Sequence, residues 1–112
     1  MTYDSDNDVS IVPGSGTTTL FNFATALWEQ RSTSSGPGTL YGYNRIAYIK
    51  SIKKFFCLNS SWQAWTYDAA TNIWENKTTS GMPPSRGSKL GLVYDAANDV
   101  VLLIGGQASW NT

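Results

Sequence analysis

The chain has 112 residues, the size of one modest domain, and its 8 basic and 8 acidic side chains cancel. A neutral chain lacks the field that draws proteins to nucleic acid or to anionic membranes, so neither partner is expected. Charged residues make up 14% of the chain and aromatic residues 13%, which argues against disorder and favours a packed β-rich domain. The longest apolar run, Val100–Ile104, is too short to span a bilayer.

The sequence repeats itself at a nearly constant spacing. The matching stretches are 3–14 with 94–105, 20–30 with 66–76, and 42–59 with 88–105. The second and third pairs are shifted by 46 residues, so Trp28 aligns with Trp74 and Tyr48 with Tyr94. Self-similarity with a period of about 20–50 residues indicates repeated supersecondary units that bury their apolar faces against one another.

Short apolar segments bounded by turn residues predict strands, and no stretch shows helical periodicity. The predicted strands are, in chain order, one ending near Tyr3, then Phe55–Leu58, Ala64–Tyr67, Ile73–Asn76, Leu90–Tyr94 and Val100–Ile104. Hairpin turns are predicted at Asp68–Asn72 and Asp95–Asp99, and the Gly, Pro and Ser residues of 77–87 predict a loop. Four antiparallel strands in about 46 residues match one blade of a β-propeller.

Three motifs resemble the kelch repeat, whose pattern is an apolar strand ending in two glycines, a Trp-x-Tyr-Asp strand and a Thr-Asn-x-Trp strand. The corresponding stretches are VVLLIGG (100–106), WTYD (65–68) and TNIW (71–74). The middle copy departs from the pattern with Asn59-Ser60 at the double glycine, and the first copy has Thr25-Ala26 in place of Thr-Asn. The resemblance implies an all-β fold, a partial β-propeller of four-stranded antiparallel kelch-type blades.

The same resemblance divides the chain into two and a half blades. Residues 1–38 are expected to end one blade, 39–77 to form a complete central blade, and 78–112 to form the first half of a third, all within one partial propeller domain. Trp28 and Trp74 are expected to pack one blade against the next. Propellers usually need about 4–8 blades to close, so a fragment of a longer protein is the favoured interpretation, with self-association through open blade edges as another.

The sequence contains few residues that could take part in catalysis or bind a metal. It contains no histidine, which removes Ser-His-Asp and Cys-His catalysis and the commonest metal ligand, including the histidines of a galactose-oxidase-like copper site. Glu29 and Glu75 fall on fourth strands at the rim, too far apart for paired acid–base work. The DSDND stretch (4–8) lacks the glycine and glutamate of a calcium loop, and Cys57 is interpreted as a small buried hydrophobe. No catalytic residue, metal or cofactor is predicted.

Binding is predicted instead at the loops that a rigid sheet scaffold would hold in place. Exposed Trp and Arg are the residue types that most often carry binding energy at interfaces. The predicted binding residues are Trp62, Gln63, Arg86, Gln107 and Trp110. Trp62 and Trp110 have the alternative of packing beneath their own loops.

Two functions of different class follow. The first is a non-catalytic kelch-type scaffold that binds a protein or carbohydrate partner through its inter-strand loops. The second is a structural part of a propeller enzyme, an oxidase or a sugar-modifying enzyme, whose active site lies in blades absent from this chain. A degraded or partial gene product is a third interpretation.

The cluster of Lys50, Lys53 and Lys54 falls in a hairpin turn and is interpreted as a solvated loop rather than a nucleic-acid site.

Overall fold

The computed structural model describes residues 2–14, 17–33, 35–38, 45–83 and 90–105 of the chain. These residues form ten strands: β1 (Thr2–Asp4), β2 (Val9–Pro13), β3 (Thr17–Asn22), β4 (Leu27–Ser32), β5 (Ile46–Ile49), β6 (Lys54–Leu58), β7 (Ala64–Asp68), β8 (Ile73–Asn76), β9 (Leu90–Asp95) and β10 (Val100–Gly105). The described residues contain strands and no helix, so the prediction of an all-β fold is confirmed. None of them belongs to a helix long and apolar enough to cross a membrane.

The strands form three antiparallel sheets, each built from consecutive strands. Sheet A contains β1 to β4, sheet B contains β5 to β8, and sheet C contains β9 and β10. The strands predicted at 64–67, 73–76, 90–94 and 100–104 agree with the observed bounds to within one residue. Equivalent residues of the repeat also pair equivalently, since Phe21 lies opposite Trp28 in sheet A and Tyr67 lies opposite Trp74 in sheet B.

Five hairpin turns have the same backbone conformation. Each turn has four residues, and its last residue has a positive φ between 55° and 59°: Asp8, Ala26, Lys53, Asn72 and Asp99. At four of the turns the side chain just before the turn, an Asp or Asn, accepts a hydrogen bond from a backbone N–H of the turn. This Asx arrangement is the local reason that Asp and Asn recur at these positions of the repeat.

The turn between β3 and β4 contains a strained residue at a position where the repeat elsewhere has asparagine. Ala26 has φ 58°, and its equivalent Asn72 has φ 59°. A left-handed conformation costs an ordinary L-residue about 1 to 2 kcal/mol, and glycine avoids this strain. We therefore expect Ala26→Gly to raise the free energy of unfolding by about 0.5 to 1 kcal/mol, measured as a higher urea midpoint. A lower midpoint for Ala26→Gly than for wild type would contradict this description of the turn.

Sheets A and B pack face to face around the main hydrophobic core. The buried residues of this core are Val9, Ile11, Leu20, Phe55, Cys57, Tyr67, Ala69 and Trp74. Polar contacts cross the same join: Arg31 Nη1 donates to the Ala69 carbonyl at 2.7 Å, and Asn72 Nδ2 donates to the Ser32 carbonyl at 3.1 Å. Burial raises the pKa of the Cys57 thiol to about 12, which fits its interpretation as a small buried hydrophobe.

The two equivalent tryptophans occupy different surroundings. Trp74 is 4% exposed, and its Nε1 donates to Thr18 Oγ1 of sheet A at 2.8 Å. Trp28 is 59% exposed because it lies on the outer face of sheet A, which no other described sheet covers. The prediction that both indoles pack between sheets is therefore correct for Trp74 and wrong for Trp28.

Sheet C packs on the opposite face of sheet B. Ala47, Leu58 and Ala64 of sheet B form a second buried cluster with Leu92 of sheet C. The partly buried side chains around this cluster are Phe56, Trp62, Met82, Tyr94, Val101 and Leu103. The three sheets are thus stacked in chain order, with sheet B in the middle.

Candidate functional site

A cleft of about 390 Å³ runs along the first strand of each sheet. It is lined by Thr2, Tyr3, Ile46, Ala47, Tyr48, Leu92, Val93 and Tyr94. These residues belong to β1, β5 and β9, each of which is the terminal strand of its sheet. One edge of each strand therefore lacks a strand partner among the described residues, and the lining residues carry no charge. Such a cleft offers apolar side chains, aromatic rings and backbone hydrogen-bonding groups to a ligand.

Three tyrosines at equivalent repeat positions line the cleft, and each hydroxyl donates to an aspartate in a hairpin turn. Tyr3 donates to Asp8 Oδ1 at 2.7 Å, and Tyr94 donates to Asp99 Oδ1 at 2.6 Å. The middle tyrosine, Tyr48, instead donates to a carboxylate oxygen of Asp6, in the turn of the neighbouring sheet. These bonds hold the phenol groups in place beside the cleft.

Asp6 joins the turns of sheets A and B at one end of the cleft. Besides Tyr48, its carboxylate accepts a charge-assisted bond from Lys50 Nζ at 2.9 Å. The hydrogen bond from Tyr48, with the Lys50 ammonium next to it, holds the pKa of Asp6 below its ordinary value. Sheets B and C are joined in the same way, because Ser51 Oγ donates to Asp99 Oδ1 at 2.5 Å and lowers the pKa of that carboxyl.

These lowered pKa values make the joins between the turns sensitive to acid. A carboxyl whose pKa is lower in the folded than in the unfolded state stabilises the fold above its unfolded pKa, about 3.9, and this stabilisation is lost as the pH falls through the folded value. We expect the urea midpoint to fall between pH 6 and pH about 3, and Asp6→Asn to reduce that fall by removing one of the titrating groups. A midpoint that Asp6→Asn lowers equally at both pH values would contradict this role.

The loop between β6 and β7 is organised by the side chain of Asn59, which is buried. Its Oδ1 accepts from the backbone N–H of Ser61 at 3.1 Å and of Gln63 at 2.8 Å. Its Nδ2 donates to the Pro37 carbonyl at 2.9 Å and to Gln63 Oε1 at 2.8 Å. Asn59 stands where the kelch pattern has glycine, and its side chain fixes the loop through its own hydrogen bonds.

Of the five predicted binding residues, Trp62 and Gln63 lie in this loop. The indole of Trp62 packs against the second cluster, and its Nε1 donates to the Pro83 carbonyl at 2.7 Å. Gln63 is half-buried, and its Oε1 also accepts from Trp65 Nε1 at 3.3 Å. Trp62 is therefore packed beneath its loop, the alternative that its sequence context left open. A role of either residue in binding stays a prediction.

The other predicted binding residues, Arg86, Gln107 and Trp110, lie outside the described residues.

The structure places Glu29 on β4 and Glu75 on β8, the fourth strands of sheets A and B, as predicted. Each pairs with a cation two residues away: Glu29 with Arg31 at 3.1 Å, and Glu75 with Lys77 at 2.8 Å.

The acidic turn at 4–8 has the same structure as its repeat equivalent at 95–99. Asp4 accepts from Asn7 Nδ2 at 2.7 Å, just as Asp95 accepts from Asn98 Nδ2 at 2.8 Å. The carboxylates of Asp4 and Asp95 therefore serve their own turns. No group of three or more His, Cys, Asp or Glu side chains that could hold a metal ion occurs within the described ranges.

The sequence pointed to the loops as the binding site and did not reveal the cleft. The signal was the recurrence of tyrosine at 3, 48 and 94, which marked equivalent positions without showing that three separate sheets bring them together. A scan of protein-family models finds no family that matches the chain, and a search of curated proteins finds no match.

Proposed function

We propose that the chain is a kelch-type β-propeller segment that binds a protein or carbohydrate partner and performs no catalysis. The kelch motifs of the sequence and the stacking of three antiparallel sheets, each made of consecutive strands, support this proposal. In a propeller, successive blades pack face to face around an axis, and their first strands lie closest to it. The packing of β1 beside β5 and of β5 beside β9 is consistent with such an axis.

The cleft along these first strands is the observation that carries the proposed binding function. Its volume, about 390 Å³, lies within the range of about 300 to 1,000 Å³ that is usual for ligand sites. Rigid sheets hold its walls, so little ordering is needed on binding.

The lining of the cleft favours a protein segment over a carbohydrate. Apart from Thr2, the lining residues are apolar or aromatic, which suits apolar side chains. The free strand edges offer backbone donors and acceptors that suit an extended chain. The tyrosine hydroxyls already donate to aspartates, so fewer polar groups remain to read the hydroxyls of a sugar.

The test is to probe the full chain against an array of peptides and an array of glycans, with two matched variants. Thr2→Arg places a cation in the cleft, whereas Thr17→Arg makes the same substitution at an exposed position of β3, outside the cleft. The proposal predicts binding to at least one class of array ligand that Thr2→Arg weakens at least about tenfold and Thr17→Arg leaves unchanged, with circular dichroism confirming both folds. Binding that survives Thr2→Arg, or no binding on either array, would overturn the cleft as the site.

A further inference from the structure

The outer face of sheet A carries a cluster of aromatic rings, three of them exposed and one half-buried, which we call the aromatic face. It consists of Tyr3, Phe21, Phe23 and Trp28. The rings meet edge to face, with centroids 5.4 Å apart for Tyr3 and Phe23 and 5.0 Å apart for Phe21 and Trp28. An exposed apolar cluster of this kind marks an interaction surface, because monomeric proteins rarely leave large contiguous apolar patches in water.

The outer face of sheet C carries a second exposed apolar surface, the aliphatic face. It consists of Val93, Val100, Leu102 and Ile104, which are between 43% and 57% exposed. The register places Leu102 opposite Val93 on adjacent strands, so the side chains form one continuous patch. No described sheet covers this patch.

The interface between sheets A and B shows which kind of surface each of these two faces can pack against. In that join, Tyr67 and Trp74 of sheet B are buried, and they are the repeat equivalents of Phe21 and Trp28. The residues that cover them from sheet A include Val9 and Ile11, whose equivalents on sheet C are Val100 and Leu102. The aromatic face is thus equivalent to one side of an existing internal interface, and the aliphatic face to the part of the other side that β1 and β2 supply.

Equivalent residues differ in exposure according to whether another sheet packs against them. Trp74 is 4% exposed and Trp28 is 59% exposed. Val9 is 2% exposed, and its equivalent Val100 is 44% exposed. Asp95, the charged residue at the border of the aliphatic face, is equivalent to Asp4, which is fully buried and hydrogen-bonded within its own turn. If the aliphatic face is buried, the Asp95 carboxylate therefore keeps its hydrogen bonds, and no unpaired charge is buried.

We infer that the aromatic face of one copy of this chain binds the aliphatic face of a second copy. The contact is head to tail, continues the stacking of sheets A, B and C, and uses two different surfaces. A heterologous contact of this kind leaves one face of each type free on every dimer, so assembly proceeds to larger rings or linear oligomers. Tyr3 and Val93 also border the cleft, so the inference is tested at Trp28 and Leu102, which do not line it.

The experiment measures mass by light scattering during size-exclusion chromatography over a range of protein concentrations. Wild type is expected to form multiples of the 12.3 kDa chain that grow with concentration. Trp28→Lys places a charge on the aromatic face, and Leu102→Lys places one on the aliphatic face; each is expected to yield monomer. Ile52→Lys changes an equally exposed apolar residue (49%) in the turn between β5 and β6, and it is expected to assemble like wild type.

Mixing the two monomeric variants distinguishes head-to-tail assembly from any contact of a face with itself. The intact aromatic face of Leu102→Lys can bind the intact aliphatic face of Trp28→Lys, and the remaining faces are both blocked. The mixture is therefore expected to form dimers and nothing larger. Val100→Lys replaces Leu102→Lys in the same scheme if circular dichroism shows that the latter is unfolded. Monomeric wild type at every concentration, or a mixture that stays monomeric, would overturn the inference.

Discussion

Replacing Trp74 with alanine is expected to lower the free energy of unfolding by about 3 to 5 kcal/mol, the usual cost of deleting a large buried aromatic side chain. The indole is 4% exposed and fills the join between sheets A and B. It stacks at 4.7 Å from Tyr67, and its Nε1 donates to Thr18 Oγ1 at 2.8 Å. The deletion removes this surface from both sheets and leaves a buried hydroxyl without its donor.

Trp28 provides the matched control, because it has the same residue type and the same position in the repeat. It is 59% exposed, so Trp28→Ala is expected to cost about 1 kcal/mol or less. Both values come from urea unfolding followed by circular dichroism, at concentrations low enough to keep the chain monomeric. Equal losses for the two variants would contradict the stacking of sheet A on sheet B. Trp74→Phe separates the contributions, since it keeps an aromatic ring and loses only the indole size and its N–H.

Replacing Asp4 with alanine is expected to cost about 2 to 4 kcal/mol. The Asp4 side chain is fully buried, and its carboxylate accepts from the backbone N–H of Asp6 at 2.8 Å and of Asn7 at 3.0 Å. Alanine leaves these donors, and Asn7 Nδ2, without an acceptor in a region that sheet B covers. Their desolvation then opposes folding.

Asp95 makes the same bonds in the equivalent turn of sheet C, but it is only half-buried and these bonds are exposed. Water can replace its carboxylate as acceptor, so Asp95→Ala is expected to cost about 1 kcal/mol. Urea midpoints of the two variants, compared at pH 7, check the difference. A larger loss for Asp95→Ala than for Asp4→Ala would show that the turn alone, rather than its burial, determines the effect.

The strands β6 to β10 and the turns at 68–72 and 95–99 could be predicted from the sequence because their causes are local. Asp68 and Asp95 bond to backbone groups two residues further along the chain, and the apolar residues that follow alternate in and out of the sheet. The positive φ of the last residue in each turn is also set by residues that are close in the chain. Ala26 is an exception to these local causes. Alanine is poorly suited to a positive φ, and it adopts one here because the pairing of β3 with β4 requires it.

The burial of equivalent residues could not be predicted, because it depends on which sheet lies next to them. Trp28 and Trp74 have the same local sequence pattern, and only the position of their sheets in the stack separates them. The cleft was missed for the same reason, since Tyr3, Tyr48 and Tyr94 meet only when three sheets are stacked in order. The packing of Trp62 beneath its loop likewise depends on Pro83, a residue far along the chain.

The stacking of equivalent sheets is the claim on which the cleft, the assembly surfaces and the stability differences all depend. Its most direct test is a nuclear Overhauser measurement in solution on the monomeric Trp28→Lys variant, with the Thr18 side chain and the indole N–H of Trp74 assigned. The Trp74 Nε1 proton lies within hydrogen-bonding distance of Thr18 Oγ1, so a strong cross-peak between the two side chains is expected. No cross-peak between them, in a variant that retains the β-sheet spectrum, would contradict the stacked arrangement.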